Sequence, residues 1–338
     1  MYVLEDYPLR SLNTFGLAAW TRYYVEVHSV EELTEALAFA GARKDPVLLL
    51  GGGSNVVLTR DHPGLVVRIA LKGVELLEET PDHCLLRAAA GEDWHSLVES
   101  CLQNDYFGLE NLSLIPGTAG AAPIQNIGAF GVELRDRLES LEALDRSTRK
   151  IVRFSNQECG FSYRSSLFKK GFRDQYVITS VTLKLDKIPA PITSYGSVER
   201  ELESMGVTEI TPYDLSKAVC RLRRRRLPDP AVLGNAGSFF KNPVVQTETF
   251  NELKSRYEDL ISFPETEEGV KLAAGWMIDR MGWKGFRNGP VGVHTEHSLV
   301  LVNHGGATAE EILRLARDIQ ESVKGGFGVE LEIEPRIY

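Results

Sequence analysis

The fold of this chain is organised around one glycine-rich stretch, Val47-Leu48-Leu49-Leu50-Gly51-Gly52-Gly53-Ser54-Asn55-Val56-Val57-Leu58. The apolar runs on both sides of the glycines are short and rich in valine and leucine, which predicts two buried strands. Three successive glycines permit positive φ angles and let bare backbone N–H groups approach a bound molecule. Such a loop can hold a diphosphate with main-chain donors. The alternative is a tight connection between two strands that binds no ligand.

A second segment favours ligand binding. Residues Gly108–Ala129 contain four glycines, two prolines and few charges, a composition that suits neither helix nor strand. So long an irregular segment inside a domain usually holds a ligand, although a well-packed loop is the alternative. Neither stretch matches a Rossmann turn or a P-loop, because no G-x-G-x-x-G opens a helix and no G-K-[ST] follows the glycines.

The composition is that of an ordinary globular protein. Its 338 residues predict two or three domains, and 43% hydrophobic with 25% charged residues exclude a disordered or fibrous chain. The net charge of -9 argues against nucleic acid as a partner. The cysteines have no paired spacing, which predicts free thiols in a reducing compartment and no metal site: Cys84, Cys101, Cys159 and Cys220.

The sequence predicts a cytoplasmic protein without a membrane partner. The first residues, Met1–Asp6, lack the basic and apolar regions of a signal peptide. No apolar stretch is long enough to span a bilayer.

Hydrophobic periodicity predicts alternating helices and strands along the whole chain. In the first half the strands are Tyr23–Val27, Gly64–Ile69, Cys84–Ala90 and others between Leu138 and Leu185, and the helices run from a Ser29/Glu32 capping box to about Ala42 and onward from Glu92-Asp93. In the second half the helices are Val198–Met205, Asp214–Leu227, Lys271–Met281 and a helix from a Thr308/Glu311 capping box to Gly325-Gly326. Strands Leu299–Asn303 and Val329–Glu334 follow, and the second places Glu330, Glu332 and Glu334 on one face.

Two arginine-containing segments are candidate anion sites. Arg164 lies between Tyr163 and Phe168, which favours a partly buried guanidinium directed at a carboxylate or phosphate over a solvated one. The run Arg221–Arg226 ends a predicted helix, and in an acidic chain we expect a local phosphate site there. A solvated helix face and a nucleic-acid contact are the alternatives.

Ser238 and two histidines are further candidates for chemistry. Ser238 follows Gly237 at a predicted bend, with no histidine nearby in sequence to form a hydrolase triad, so a structural role and a chemical role both remain open. His294 and His297 are spaced like a metal pair, but without a third ligand nearby we favour a polar sheet edge.

Several stretches together resemble the bacterial UDP-N-acetylenolpyruvoylglucosamine reductases, the MurB family, in the form with an extra tyrosine loop. The set is specific although each piece alone is weak, and it follows the expected order through nearly the whole chain. The stretches are Asn13–Gly16, Gly51–Asn55, Gly108–Asn111, Ile115–Gly117, Pro123–Gly131, Tyr163-Arg164, Tyr195-Gly196, Leu227–Pro230, Gly234–Pro243, Leu272–Asp279 and Leu331–Arg336.

The resemblance implies an α+β chain with an FAD-binding fold of the vanillyl-alcohol oxidase (PCMH) type in two lobes, plus a C-terminal α+β substrate-binding domain. The implied boundaries are residues 1–70 for the first lobe, 71–225 for the second lobe and 226–327 for the substrate domain. The PCMH-type region would span about residues 17–188, and the C-terminal strand 328–338 would pack back on the first lobe. A monomer is expected.

The resemblance also implies the cofactor and the reaction. NADPH would reduce FAD, and the hydride would then reach C3 of the enolpyruvyl group of UDP-N-acetylglucosamine enolpyruvate, in peptidoglycan precursor synthesis. Non-covalent FAD is expected at Gly51, Gly52, Gly53, Ser54, Asn55, Ile115, Pro116, Gly117, Gly120, Ala121, Gln125 and Asn126. No metal is expected.

Matching residue by residue gives the catalytic and substrate-binding roles. Ser238 would protonate C2 of the substrate, while Arg164 and Glu334 would stabilise the enol-like carboxylate intermediate. The residues expected to bind the substrate are Tyr163, Tyr195, Arg223, Arg226, Asn242 and His297. The chain departs from the family where Arg226 replaces a lysine, His297 replaces a glutamine, and Ala121 and Ala122 replace two serines that face FAD.

Two other functions compete with this one. Another flavin oxidoreductase on the same fold, such as a sugar or alcohol oxidase, is the first, because a fold does not fix a function. A non-catalytic nucleotide-sugar binding protein is the second. Flavin absorbance would exclude the binding protein, and NADPH oxidation that depends on the enolpyruvyl sugar would exclude the oxidase.

Overall fold

The computed structural model of the protein describes residues 1–263 and 269–338. Its strands are, in chain order, β1 (Leu4–Pro8), β2 (Trp20–Val27), β3 (Val47–Leu50), β4 (Val56–Val57), β5 (His62–Ile69), β6 (Val74–Glu79), β7 (His83–Ala89), β8 (Gly128–Ala129), β9 (Val132–Glu133), β10 (Leu138–Asp145), β11 (Ile151–Ser155), β12 (Tyr176–Asp186), β13 (Gly234–Ser238), β14 (Val244–Val245), β15 (Val270–Lys271), β16 (Arg287–Asn288), β17 (Val291–Val293), β18 (Val300–Asn303) and β19 (Arg336–Ile337). Its helices are α1 (Val30–Arg43), α2 (Trp94–Gln103), α3 (Gly196–Ser204), α4 (Pro212–Arg226), α5 (Thr247–Arg256), α6 (Ala274–Arg280) and α7 (Ala309–Phe327).

Two compact units divide the chain. The first comprises Met1–Tyr7, Thr21–Gly53 and His62–Arg224, and the second comprises Pro8–Trp20, Ser54–Asp61 and Arg225–Tyr338. Both contain helices and strands, so the predicted α+β class is confirmed.

A small four-stranded sheet carries the glycine stretch. Its strand order is β1-β2-β5-β3, and β5 runs parallel to both β2 and β3. The apolar face of α1 packs on this sheet through Leu33, Ala36, Leu37 and Ala40. Because parallel strands end at the same edge, Gly51 follows β3 at the edge where β2 and β5 also end.

The cap of α1 differs in part from the prediction. The Ser29 side chain accepts a hydrogen bond from the Glu32 backbone N–H, as expected for an N-cap. The Glu32 carboxylate, however, accepts from the His28 N–H at 2.7 Å, one residue before the predicted partner. The predicted capping box is therefore shifted by one residue on its carboxylate side.

A five-stranded antiparallel sheet, in the order β11-β10-β12-β7-β6, forms the larger layer of the first unit. Its core includes the buried face of α2, whose Asp93 N-cap is as predicted. The segment Gly108–Ala129 contains only 3-10 turns at Glu110–Leu112 and Ala122–Gln125 before β8 begins at Gly128. The prediction of an irregular segment here is confirmed.

The second unit is built on the sheet β13-β18-β17-β16, whose core includes the buried face of α7. The capping box between Thr308 and Glu311 that begins α7 is present, as predicted. The predicted end at Gly325-Gly326 is wrong, because the helix continues to Phe327 and stops at left-handed Gly328. Gly326 instead admits Met281, whose Sδ would lie 2.7 Å from an added Cβ.

Two other predicted elements are corrected. Residues Lys271–Met281 are not one helix, because Lys271 belongs to β15 and the Leu272 N–H bonds to Pro243 O, so α6 begins only at Ala274. Residues Val329–Glu334 do not form a strand beyond one isolated bridge between Ile333 and Phe240. The regular strand of the C-terminus is β19, which runs parallel to β4.

Candidate functional site

The two predicted glycine loops contact one another within the first unit. A Cβ added at Gly51 would lie 2.6 Å from Thr118 Oγ1, and one added at Gly52 would lie 3.0 Å from Gly117 Cα. At separations this short, a side chain at either glycine would force neighbouring atoms to shift, so the glycines favour the close approach of the loops. The structure thus brings together stretches more than 60 residues apart in sequence.

The second loop is fixed to the segment that leads into α2. The Ala119 N–H donates to Glu92 O at 2.8 Å, and the Gly120 N–H donates to Ala90 O at 2.9 Å. A Cβ at Gly120 would lie 2.4 Å from that of Ala90. These backbone bonds hold the loop independently of any ligand.

A cavity of 170 Å³ lies beside Gly51 and Gly52, at the carboxyl edge of β2, β3 and β5. The volume accommodates part of a dinucleotide. Its lining adds residues that the sequence analysis missed: Glu26, His28, Arg68, Ile69, Ala70, Lys72 and Gly91. The signal that could have found them is their position at the ends of parallel strands, where α/β proteins bind ligands.

The residues around the cavity suit an anionic group such as a diphosphate. Its wall is glycine backbone at Gly51, Gly52 and Gly91, with Arg68 and Lys72 as cations. Arg68 lies 3.3 Å from the Glu26 carboxylate, so its charge is partly compensated. Main-chain donors and nearby cations are the usual partners of a diphosphate.

The other residues predicted to contact FAD differ in exposure. Ser54 and Asn55 belong to the second unit, where Asn55 O accepts from the Arg336 N–H at 3.0 Å. Asn126 is fully buried, and its amide donates to Glu133 at 2.8 Å and accepts from the Arg135 N–H at 3.0 Å. Gly53 is buried, Ile115 and Gln125 are half-buried, and Pro116 and Ala121 are exposed. The contacts of all these residues with FAD stay predictions.

Tyr163 and Arg164 form the tip of a tight turn. Backbone bonds of 3.1 Å in both directions between Ser162 and Ser165 close the turn, and Arg164 adopts a left-handed φ of 52°. The half-buried Arg164 guanidinium donates to Gly128 O at 2.6 Å. A Cβ at Gly128 would lie 3.0 Å from Arg164 Nη1, so this glycine admits the guanidinium.

The run Arg221–Arg226 is not one basic patch. Arg221 pairs with the buried Glu201 carboxylate at 2.9 Å, and Arg226 is exposed at the end of α4. Arg223 turns inward, and its Nε donates to Leu114 O at 3.1 Å. Burial lowers the pKa of Arg223 to about 10, and the Arg164 charge acts in the same direction. A desolvated cation with a second cation nearby suits the binding of an anion.

Tyr195 is the N-cap residue of α3. Its ring packs edge-to-face on Phe130, with 5.6 Å between the ring centroids. The tyrosine is therefore anchored on the segment that follows β8.

Ser238 and Glu334 belong to neighbouring backbone segments of the second unit. A bulge at left-handed Gly237, with φ of 68°, precedes Ser238 at the end of β13. The Glu334 N–H donates to Phe239 O at 2.9 Å, so the two residues lie on adjacent antiparallel segments. Of the predicted catalytic residues, these two share a unit, and Arg164 belongs to the other.

Two contacts support this arrangement. Lys241, which is 8% exposed, donates to the Glu332 carboxylate at 2.5 Å, and its backbone N–H bonds to Glu332 O at 2.9 Å. Asn242 Oδ1 accepts from the Ala274 N–H at 3.0 Å, at the start of α6. The segment after Ser238 is thus fixed on both sides.

The predicted His297 lies at the turn before β18. Its Nδ1 accepts from the Leu299 N–H at 3.3 Å. Within residues 1–263 and 269–338, no cluster of three or more histidine, cysteine or acidic residues is arranged to hold a metal ion. In the same ranges, none of the helices combines the length and apolar character needed to cross a bilayer.

Two family models match this chain. The model described as "UDP-N-acetylenolpyruvoylglucosamine reductase, C-terminal domain" matches residues 229–338, which include Ser238 and Glu334. The model described as "FAD binding domain" matches residues 21–155, which include both glycine loops.

Curated relatives named UDP-N-acetylenolpyruvoylglucosamine reductase are similar over the full length. The relative from Pseudomonas syringae pv. syringae is 47% identical, covering 100% of this chain and 99% of its own. Those from Chromobacterium violaceum and Pseudomonas aeruginosa are 50% and 49% identical, covering 98% and 99% of this chain and 98% of each relative.

Solved structures agree with these matches. The UDP-N-acetylenolpyruvylglucosamine reductase (MurB) of Thermus caldophilus is 25% identical with a TM-score of 0.67, covering 100% of this chain and 98% of that one. The 6-hydroxy-D-nicotine oxidase of Arthrobacter nicotinovorans, at 14% identity and a TM-score of 0.51 over 92% of this chain and 81% of that one, shares the fold alone. The expected FAD-binding fold of the vanillyl-alcohol oxidase type is thereby confirmed. The chain belongs to the UDP-N-acetylenolpyruvoylglucosamine reductase (MurB) family and is an FAD-dependent oxidoreductase.

Proposed function

We propose that the protein reduces UDP-N-acetylglucosamine enolpyruvate to UDP-N-acetylmuramate with NADPH, a step of peptidoglycan precursor synthesis. The observation that carries this proposal is the antiparallel pairing that places Glu334 opposite Phe239, the residue next to Ser238, inside the region that matches the family's C-terminal domain. The pairing joins the backbone segment that carries a hydroxyl to one that carries a carboxylate, and these two groups suit proton delivery next to a developing charge.

The proposed FAD site is formed by the two glycine loops. Non-covalent FAD would supply the hydride chemistry there, passing hydride from NADPH to C3 of the enolpyruvyl group. Gly51 and Gly52 would present backbone to the diphosphate, with Arg68 and Lys72 as nearby cations. The contact between the loops and the cavity beside them support this placement.

Arg164 is proposed to stabilise the negative charge that hydride addition at C3 builds on the carboxylate side of the substrate. A guanidinium already held in place stabilises such charge without reorganising in the transition state. The bond from Arg164 to Gly128 O and the turn that carries it support this preorganisation. Glu334 is proposed to act on the same intermediate.

Ser238 is proposed to deliver the proton to C2. A bulge at Gly237 shifts the register of β13 directly before Ser238, and the Gly237 N–H bond to Asn235 Oδ1 at 2.9 Å fixes the bulge. A hydroxyl on a rigid turn is suited to protonate a carbon from one face.

The proposed substrate contacts are Tyr163, Tyr195, Arg223, Arg226, Asn242 and His297. Arginines at two of these positions suit the charge of a nucleoside diphosphate and a carboxylate. The domain boundaries at residues 70, 225 and 327, the monomeric state and the cytoplasmic location also stay proposals.

The test is the reaction itself. Purified protein should be yellow, and acid precipitation should release FAD into the supernatant. Without the enolpyruvyl sugar, NADPH should be oxidised only once per FAD, and continuous NADPH oxidation should need the sugar. Mass spectrometry should show a product heavier by two hydrogens. The proposal is wrong if the sugar does not change the rate of NADPH oxidation, or if the protein oxidises an alcohol with oxygen. Either result would place the protein among the oxidases of the same fold.

Ser238→Ala should separate the two half-reactions. Reduction of FAD by NADPH needs no proton on the sugar, so flavin bleaching in stopped flow should proceed as in the parent. Reoxidation by the enolpyruvyl sugar should slow by roughly 10²–10⁴, the usual contribution of a positioned general acid. Ser238→Cys should keep part of the activity, because a thiol can also donate a proton. Ser255→Ala, at an exposed serine of α5, is the matched control. Equal slowing of both steps by Ser238→Ala would assign the serine a structural role.

A further inference from the structure

Leu114, directly before the proposed FAD segment Ile115–Gly117, has both backbone polar groups bound by side chains. It adopts a left-handed φ of 59°, which is costly for a residue with a side chain. Its N–H donates to Nδ1 of His95, from α2, at 3.0 Å. Its carbonyl accepts from Nε of Arg223, from α4, at 3.1 Å. Two helices therefore hold one strained residue.

The residues before Leu114 are anchored by groups that do not titrate near neutral pH. The Trp94 indole N–H donates to Leu112 O at 3.0 Å, and the buried Ser113 and Ser216 hydroxyls lie 2.8 Å apart. The anchoring of this segment therefore changes from fixed contacts to a titratable one at Leu114. Downstream of that point lies the loop that contacts Gly52.

We propose that His95 is a positioning residue whose neutral imidazole holds Leu114 left-handed, and thereby sets both the Arg223 side chain and the start of the FAD loop. This proposal rests on the proposed roles of Arg223 and Ile115–Gly117. Since Nδ1 accepts the Leu114 N–H, the ring proton must be on Nε2. A protonated ring carries N–H groups at both positions, so it cannot accept from Leu114 and the contact is lost.

Charged and titratable groups from two helices surround His95. Glu99 on α2 lies 3.6 Å from Nε2. From α4, Arg223 brings a positive charge to the same Leu114 that His95 contacts. Cys220, with Sγ 4.0 Å from Nε2, adds no charge at neutral pH because burial raises the pKa of its thiol.

The first measurement uses apoprotein and needs no activity. Nitrogen-15 NMR of His95 should show the Nε2–H tautomer, and the protection of the Leu114 amide from hydrogen exchange should fall when His95 is protonated. In His95→Leu the Leu114 amide should be about 5- to 100-fold less protected at all pH values, as expected for a lost partner of a buried donor. In His95→Asn the protection should persist without pH dependence, because the Asn Oδ1 can accept but does not titrate.

The second measurement links the contact to FAD. The affinity of apoprotein for FAD should fall on acidification in the parent, stay constant in His95→Asn, and be low throughout in His95→Leu. Leu114→Gly should reduce the effect of His95→Leu, since glycine adopts positive φ without strain. Any of three results would overturn the proposal. These are an Nδ1–H tautomer of His95, unchanged protection of the Leu114 amide in His95→Leu, and a pH response in His95→Asn like that of the parent. The protection of the Leu114 amide could change as predicted while the affinities for FAD and substrate stay constant. In that case the proposed binding roles of the loop and of Arg223 are wrong, but His95 still positions Leu114.

Discussion

Replacement of Gly51 by alanine tests whether the two glycine loops must touch for FAD to bind. The new Cβ would lie 2.6 Å from Thr118 Oγ1, whereas the next nearest atoms, Ala121 Cβ and Thr118 Cβ, would be 3.6 and 3.7 Å away at ordinary contact distances. One atom therefore accounts for the steric conflict. Overpacking of this kind typically costs about 1–3 kcal/mol, which corresponds to roughly 5- to 150-fold in affinity.

The assay is a double-mutant cycle on FAD affinity, measured by flavin fluorescence with apoprotein. Gly51→Ala alone should weaken FAD binding by the factor given above. Thr118→Ala removes Oγ1, so the double variant should bind FAD as Thr118→Ala does, with a coupling of at least about 1 kcal/mol. Gly41→Ala in α1, where the nearest atom to the new Cβ is 3.8 Å away, is the control. It should stabilise the fold by about 0.5–1 kcal/mol and leave FAD affinity unchanged. Parent-like affinity in Gly51→Ala, or no restoration by Thr118→Ala, would refute the loop contact as a determinant of FAD binding.

Three further predictions address the substrate site, the second unit and pH. Arg226→Ala should raise KM for the nucleotide sugar with a smaller change in kcat, because a contact remote from the reacting carbons contributes uniform binding; a large fall in kcat at unchanged KM contradicts that role. Glu332→Gln should lower the free energy of unfolding by about 1–3 kcal/mol more than Lys241→Met does, because it leaves a buried ammonium uncompensated, whereas Lys241→Met leaves a carboxylate that is 70% exposed; equal effects in thermal unfolding would count against the ion pair. Burial raises the pKa of Glu110, and the hydrogen bonds from the Gly108 N–H oppose this shift. The folded state therefore binds the Glu110 proton more tightly than the unfolded state does. The free energy of unfolding consequently falls as the pH rises from the ordinary pKa of 4.5 toward the folded pKa. Glu110→Gln should therefore raise the thermal midpoint near neutral pH and lose that advantage below pH 4.5, and thermal scans across this range that show no such change would contradict it.

The sequence by itself determined the local elements of this protein. Side chains within one or two helical turns determine where the helices begin and which face is apolar. Examples are the Thr308 cap of α7 and the Asp93 cap of α2. The irregular character of Gly108–Ala129 likewise follows from its composition. Such features depend on neighbours in sequence, so they could be predicted without knowing the topology.

Where the local signal was ambiguous, packing decided the outcome. Gly325-Gly326 predicts a helix end, yet the helix continues because Gly326 gives space to Met281 and Gly328 provides the left-handed stop. The run Val329–Glu334 predicts a strand, yet it makes one isolated bridge before pairing passes to β19.

The candidate site depended on the tertiary structure most of all. The sequence pointed to both glycine loops, to Ser238 and to Glu334, but not to their mutual positions. The contact between Gly51 and Thr118, and the hold of His95 on Leu114, join residues from separate elements. Strand order and backbone hydrogen bonding fix such contacts, and a sequence pattern reports only the face and period of each element, not which elements become neighbours.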